Sequence, residues 1–237
     1  RVWASLEHEP REVIEETFRD GLRRDPERKK RWAALVDGNE TQLRLLHELA
    51  KQYGVDLAIV LDVIHVIEYL WKASLAFNAE GTKDAEEWVS ERLLQVLRGR
   101  ASHVAAGIRR SATLRGLSAE KREAADTCAG YLLGNAAYLQ YDRYLAEGLP
   151  IATGVIEGAC RYLVKDRMDI TGARWRLRGA EAVLRLRALR ASGDFDEYWR
   201  FHEAQELRRN HLVRYAAMQI PEMRELMRGR SHLRVVK

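Results

Sequence analysis

Three groups of side chains in this sequence combine types and spacings that could do chemistry. The first is Asp62, His65 and Glu68, in the run Leu61-Asp-Val-Ile-His65-Val-Ile-Glu68. On a helix, steps of three residues put Asp62 beside His65 and His65 beside Glu68. That is a carboxylate–histidine arrangement suited to a metal ion, although Val66, Ile67 and Leu70 also give the same helix an apolar face. Asp62 alone is more telling. It directly ends the strand-like run Val55-Asp-Leu-Ala-Ile-Val-Leu61, where a buried carboxylate without a partner or a task is costly. The second group is Glu157 in Gly154-Val-Ile-Glu157-Gly158-Ala-Cys-Arg161. Glycines on both sides leave room for a ligand to approach closely, and a Glu near a helix start also complements the helix dipole. The third is Lys165-Asp-Arg-Met168 followed by Gly172-Ala-Arg174-Trp175-Arg-Leu-Arg178. An aromatic ring among arginines suits nucleic acid, by phosphate contacts and base stacking; Trp175 equally suits an ordinary core position.

Other chemistries lack their signatures. There is no phosphate-binding Gly-rich loop and no zinc spacing of Cys and His. Cys128 and Cys160 are the two cysteines, not in a CxxC pair, and read as reduced thiols. Asp37 also follows a short apolar run, but Asp37-Gly38-Asn39 reads as a turn and helix entry.

The elements that must position these groups follow from periodicity. Residues 10–24 carry Val13, Ile14, Phe18 and Leu22 on one helical stripe. Trp32–Val36 is a short strand. Residues 41–53 return to helical period, and Gly54 ends them. Val55–Leu61 is the clearest strand, apolar on both faces as in a parallel sheet. A helix follows Asp62 at once, so residues 32–77 predict a right-handed βαβ unit with a further helix. A carboxylate at the C-terminal edge of a parallel strand is where open α/β sheets place their chemistry. Beyond it the pattern predicts helices over 83–99, 101–113 and 119–147, a brief extended piece over 149–153, and a helix from Gly154 to about Met168. Helical period resumes through Leu189, breaks at Ser192-Gly193 and runs on from Asp194 to about Met218.

The chain has 237 residues, 40 Lys+Arg against 35 Asp+Glu, 46% hydrophobic and 32% charged residues. This is the composition of a folded chain with a real core, not of a disordered one. No run of about 18 apolar residues occurs, so no membrane span is expected. The net charge of +5 is unevenly placed. Residues 158–237 hold 18 basic against 10 acidic side chains, leaving 22 against 25 in residues 1–157. Clustered arginine is the usual footprint of phosphate binding; a solvated helix face is the plainer reading.

Taken together, Ala33-Ala-Leu-Val-Asp37-Gly-Asn, Ile59-Val-Leu-Asp62-Val-Ile-His65-Val-Ile-Glu-Tyr-Leu-Trp71, Gly154-Val-Ile-Glu157 through Met168 and Gly172-Ala-Arg-Trp175 resemble bacterial insertion-sequence transposases of the ISKra type. Gly179–Arg187 and Tyr198-Trp199 continue the resemblance, which covers nearly the whole chain. It implies an α/β fold, mostly helical overall: an RNase H-like sheet, incomplete at its N-terminal side, with a large all-helical insertion. Residues 1–77 and 150–192 would form the catalytic core, 78–149 the insertion and 193–237 a basic helical tail. Such enzymes place two Asp and one Glu on the sheet. The resemblance assigns the second Asp to Asp62 and the Glu, on a helix after the fifth strand, to Glu157. Both would be catalytic and hold Mg²⁺ or Mn²⁺, with His65 supporting them or touching substrate and Lys165, Arg174, Trp175 and Arg178 on DNA. The chemistry implied is metal-dependent phosphodiester cleavage and strand transfer at element ends. Double-stranded DNA and further copies of the chain are the expected partners, in the cytoplasm and nucleoid of a bacterium.

The sequence opens at Arg1-Val-Trp without Met, so the first Asp is expected upstream and the chain alone is expected to be inactive. Two other readings remain open at this level. One is a transposase remnant that binds DNA or acts as a scaffold without chemistry. The other is an unrelated helical metalloprotein that uses Asp62, His65 and Glu68.

Overall fold

The structure, a computed structural model, describes residues 1–170 and 172–213, and only the backbone of Val155, Ile156 and Glu157. Thr171 and residues 214–237 lie outside the described residues, and with them most of the expected basic tail.

The βαβ unit forms as the periodicity requires. Strand β1 (Trp32–Val36), helix α2 (Glu40–Tyr53) and strand β2 (Leu57–Leu61) follow helix α1 (Pro10–Arg24). β1 and β2 pair in parallel, from Trp32 opposite Leu57 to Val36 opposite Leu61. Among the described residues they are the whole sheet. Asn39 caps α2 by accepting the Gln42 N–H, and Gly54 closes it at φ +60°, a backbone conformation that favours glycine. That closure consumes the start of the expected second strand: Val55 donates its N–H back to Ala50 of the helix, so pairing begins at Leu57 rather than Val55.

Side chains on β2 divide between the two faces of the sheet. Ile59 packs with Phe18, Val36, Leu43, Leu46 and Leu49 from the α1–α2 side. Val60 packs on the opposite face with α3 (Val63–Ser74), α4 (Lys83–Leu97), α5 (Ala101–Leu114) and α6 (Ala119–Gly134), a cluster that Leu61 joins from the strand end. Covering both faces is what a parallel pair of apolar strands demands. The segment 78–149 therefore shares one continuous core with the strand that ends in Asp62.

The expected single helix over 119–147 is divided. α6 ends at Gly134, a short 3₁₀ turn spans Ala136–Tyr138, and α7 covers Tyr141–Ala146. The side-chain amide of Asn135 donates to the Tyr131 carbonyl, which also accepts the Asn135 backbone N–H as the helix ends. The break sets Tyr141 and Tyr144 so that their hydroxyls donate to the Leu61 and Ile59 carbonyls at 2.8 and 3.1 Å. Burial pushes both phenols above the ordinary tyrosine value, so they act as donors at any ordinary pH.

The piece at 149–153 is not a strand; Ile151 accepts one backbone hydrogen bond from Val63 at 2.9 Å. The helix expected from Gly154 to Met168 is continuous but changes pitch. It comprises α8 (Gly154–Cys160), a π-helical stretch (Arg161–Lys165) and α9 (Asp166–Met168). After it come α10 (Leu177–Ser192), which Gly193 terminates at φ +78°, and α11 (Phe195–Leu207). No described helix is long and apolar enough to cross a membrane.

Candidate functional site

A cleft of about 970 Å³ opens at the C-terminal edge of the two strands. Asp37 and Asp62 line it from the ends of β1 and β2, and His65 from α3. Thr153, Gly154 and Gly158 line its far side, continued by Arg161 and Lys165 of the π-helical stretch. The parallel register makes this convergence unavoidable. Val36 stands opposite Leu61, so the next residue of each strand leaves the sheet at the same edge, and the Asp62 N–H still donates to the Val36 carbonyl at 2.8 Å.

Asp62 is only 1% exposed, and both of its carboxylate oxygens are engaged. Oδ1 caps α3 by accepting the Ile64 N–H at 2.9 Å, and Oδ2 accepts the Thr153 hydroxyl. Thr153 carries no motif of its own, and periodicity alone could not single it out. Asp37 is its counterpart in the open. It is exposed, and one oxygen accepts the Asn39 N–H at 3.0 Å, as its turn-forming role requires. The same turn leaves it lining the cleft beside Asp62, a placement the turn signal did not announce.

A tyrosine pair stands behind the Asp37 turn. Tyr131, stacked on Tyr69 at 4.0 Å, donates its hydroxyl to the Asp37 carbonyl. Its phenol is pushed upward chiefly by burial, with Tyr69, Asp37, Asp62 and Glu68 adding to the effect. Two carboxylates and a hydroxyl are hard oxygen donors of the kind Mg²⁺ takes, with water completing its shell. Asp62, His65 and Glu68 do not converge. His65 turns to Glu68 at 3.6 Å while Asp62 serves its own helix end, and among the described residues no group of three metal-ligating side chains forms. The helical metalloprotein reading loses its basis there.

Glu157 lies on α8, three residues after Gly154 and one before Gly158, both of which border the cleft. Its side chain is outside the described residues. Of the basic residues expected on DNA, Lys165 lines the cleft. Arg174 and Arg178 are exposed and stand apart from it, at the entry to α10. Trp175 is half-buried, with the Arg167 guanidinium 5.3 Å from its ring centre and its indole N–H shielded without an acceptor among the described residues. Arg187, to which the sequence assigned no role, donates from α10 to the Leu163 carbonyl at 2.9 Å and to that of Tyr162. It thereby braces the π-helical stretch. Short π-helical stretches are frequent at functional sites.

Comparison of the chain with protein-family models, curated proteins and solved structures returned no match.

Proposed function

We propose that this chain is the catalytic portion of a DNA transposase, built on an RNase H-like sheet, with Asp62 and Glu157 as ligands of Mg²⁺ or Mn²⁺. One observation carries the reading: carboxylates leave two adjacent parallel strands at one edge, facing a wall that supplies Arg161 and Lys165. A divalent pair at such carboxylates supplies an activated oxygen nucleophile and stabilises the leaving oxygen. Asp62 is held by the Ile64 N–H and the Thr153 hydroxyl in one orientation, and Asp37 adds a second carboxylate. His65 stands within reach of the same cleft. Arg161 and Lys165 would neutralise the phosphates that flank the reacting one.

The entry to α10 supports the DNA assignment. Arg174, Arg176 and Arg178 stand at a helix N-terminus that, among the described residues, has no side-chain cap and no acid in its first turn. Cations there oppose the helix dipole, and a backbone phosphate would satisfy both. The resemblance further assigns duplex DNA at element ends as substrate, assembly with further copies of the chain, and a cytoplasmic, nucleoid-associated setting.

The full engagement of both Asp62 oxygens favours a second reading, a DNA-binding remnant in which that carboxylate is structural. Mn²⁺ binding, followed by loss of the free-ion paramagnetic resonance signal, separates the two. The transposase reading expects binding that falls at least tenfold in Asp62→Asn and in Glu157→Gln. No binding by the unaltered chain, or binding indifferent to both substitutions, refutes it.

A further inference from the structure

The helical segment behind the sheet carries a charge pattern that the cleft does not use. From Arg92 to Ala119 the chain contains six arginines, His103 and not one Asp or Glu. The rest of that segment is rich in acids. The arginines gather around α5: Arg98 at the end of α4, Arg100 at the N-terminus of α5, Arg109 and Arg110 within it, and Arg115 at its end.

Two of the six are matched to carboxylates. Arg109 meets Asp126 at 3.8 Å, and Arg92 meets Glu91 at 3.7 Å with its guanidinium carbon 3.8 Å from the Trp88 ring centre. The other four are not. Arg100 donates to the neutral Gln95 side chain at 3.1 Å, and Arg115 donates to the Phe77 carbonyl at 3.1 Å. Arg98 and Arg110 have no ion-pair partner among the described residues. The like charge of Arg115, after burial, helps hold the Arg92 guanidinium below its ordinary value, so cations crowd here at some cost.

Helical geometry sorts these residues. Ala101, Val104, Ala105, Ile108 and Ala112 face the core, which turns residues 100, 103, 107 and 110 outward along one stripe. Gly107 sits in the middle of it, with nothing within 4 Å of where a side chain would begin. A groove between α4 and α5 runs alongside, lined by Gln95, His103, Gly107 and Ser111 with Arg92 and Glu91 at one end. Arg100 and Arg110 are about 15 Å apart along the helix axis. The major groove is about 12 Å wide, so the stripe can reach phosphates on both of its edges. Guanidinium forks at the ends, small and neutral hydrogen-bonding groups between, and a backbone left bare at Gly107 suit a rod of phosphates better than a protein surface.

We propose that α5 and its flanks, none of which line the carboxylate cleft, form a second duplex-DNA surface with Arg98, Arg100 and Arg110 as its phosphate contacts. The proposal rests on the transposase reading and extends it: one duplex would be gripped at the cleft and another stretch of DNA at α5. The experiment uses the full chain and a fluorescent duplex of arbitrary sequence, with anisotropy measured between about 50 and 200 mM salt. Arg98→Gln/Arg100→Gln/Arg110→Gln is compared with Arg174→Gln/Arg178→Gln, and circular dichroism melting checks that each variant is folded. The α5 variant is expected to lower the slope of log K against log salt by about 3, and the α10 variant by about 2. An unchanged slope in the folded α5 variant, with a reduced one in the α10 variant, overturns the α5 surface and leaves the transposase reading standing. No duplex binding by the unaltered chain at any salt overturns both. Loss of poly-glutamate binding without loss of duplex binding assigns the stripe to an acidic protein partner and overturns the proposal.

Discussion

Asp62 is both the proposed metal ligand and the N-cap of the helix that follows it, and two substitutions separate these roles. Asp62→Ala removes the cap, which costs about 1 kcal/mol. It also removes the acceptor of the half-buried Thr153 hydroxyl, a hydrogen bond to a charged group whose loss costs a further 1–3 kcal/mol or so. The total is about 2–4 kcal/mol. Asp62→Asn keeps an oxygen for the Ile64 N–H, and its amide can donate to the Thr153 oxygen. Asn caps helices as well as Asp, so the loss should stay within about 1 kcal/mol. In urea, with a slope of about 2 kcal/mol per molar, the alanine variant should unfold about 1–2 M earlier and the asparagine variant within about 0.5 M of the unaltered chain. Both should lose Mn²⁺ binding. Equal destabilisation by the two substitutions would refute the cap-and-brace account, because charge rather than hydrogen-bond geometry would then be holding the site. An alanine variant as stable as the unaltered chain would refute it as well.

Three further outcomes follow from particular contacts. A thiol reagent at neutral pH should label Cys160 in the folded chain and Cys128 only after unfolding, since Cys160 is exposed whereas burial pushes the Cys128 thiol to about 12; two fast-reacting thiols would contradict this. Gly21→Ala would place a methyl 2.3 Å from the Trp32 ring and should cost about 1–3 kcal/mol, read as an earlier urea midpoint. Burial pushes the Glu181 carboxyl up, yet hydrogen bonds from the Leu6 N–H, Arg185 and the Ser5 hydroxyl hold it below its ordinary 4.5. A carboxylate lowered in this way contributes stability above pH 4.5 that is lost as the pH falls through its folded value. Leu6 amide exchange, corrected for intrinsic rate, should therefore stay slow at neutral pH and accelerate only on the acid side of 4.5. Acceleration between neutrality and pH 5 would refute it.

The βαβ unit was legible because its signals are local and mutually consistent: an apolar run, a glycine stop, an Asn cap and a carboxylate at the strand end. The break at Gly134-Asn135 was not, although both residues are turn formers. Ala-rich helical period on either side outweighed them, and what decides the break is the need for two tyrosines to reach carbonyls of a strand some 80 residues away. The site was legible by half. Asp62 stood out because a strand ended on it. Asp37 was read as a turn residue, which it is, and turn chemistry said nothing of its place beside Asp62. Thr153 and Arg187 left no local signal at all, since each matters only through a partner brought to it by the fold.

Arg187 gives α10 a mechanical role. In its C-terminal half this helix grips the carbonyls of Tyr162 and Leu163. Near its start, Glu181 takes the Leu6 N–H and the Ser5 hydroxyl, and at its end Ser192 exchanges hydrogen bonds with Val2. α10 is thus a yoke, tied to the opening residues of the sequence at two points and to the wall of the cleft at a third. Any ligand that reseats the π-helical stretch must pull on that yoke. A tug on residues 1–6 would travel the same way in reverse and reach the cleft wall without touching the sheet.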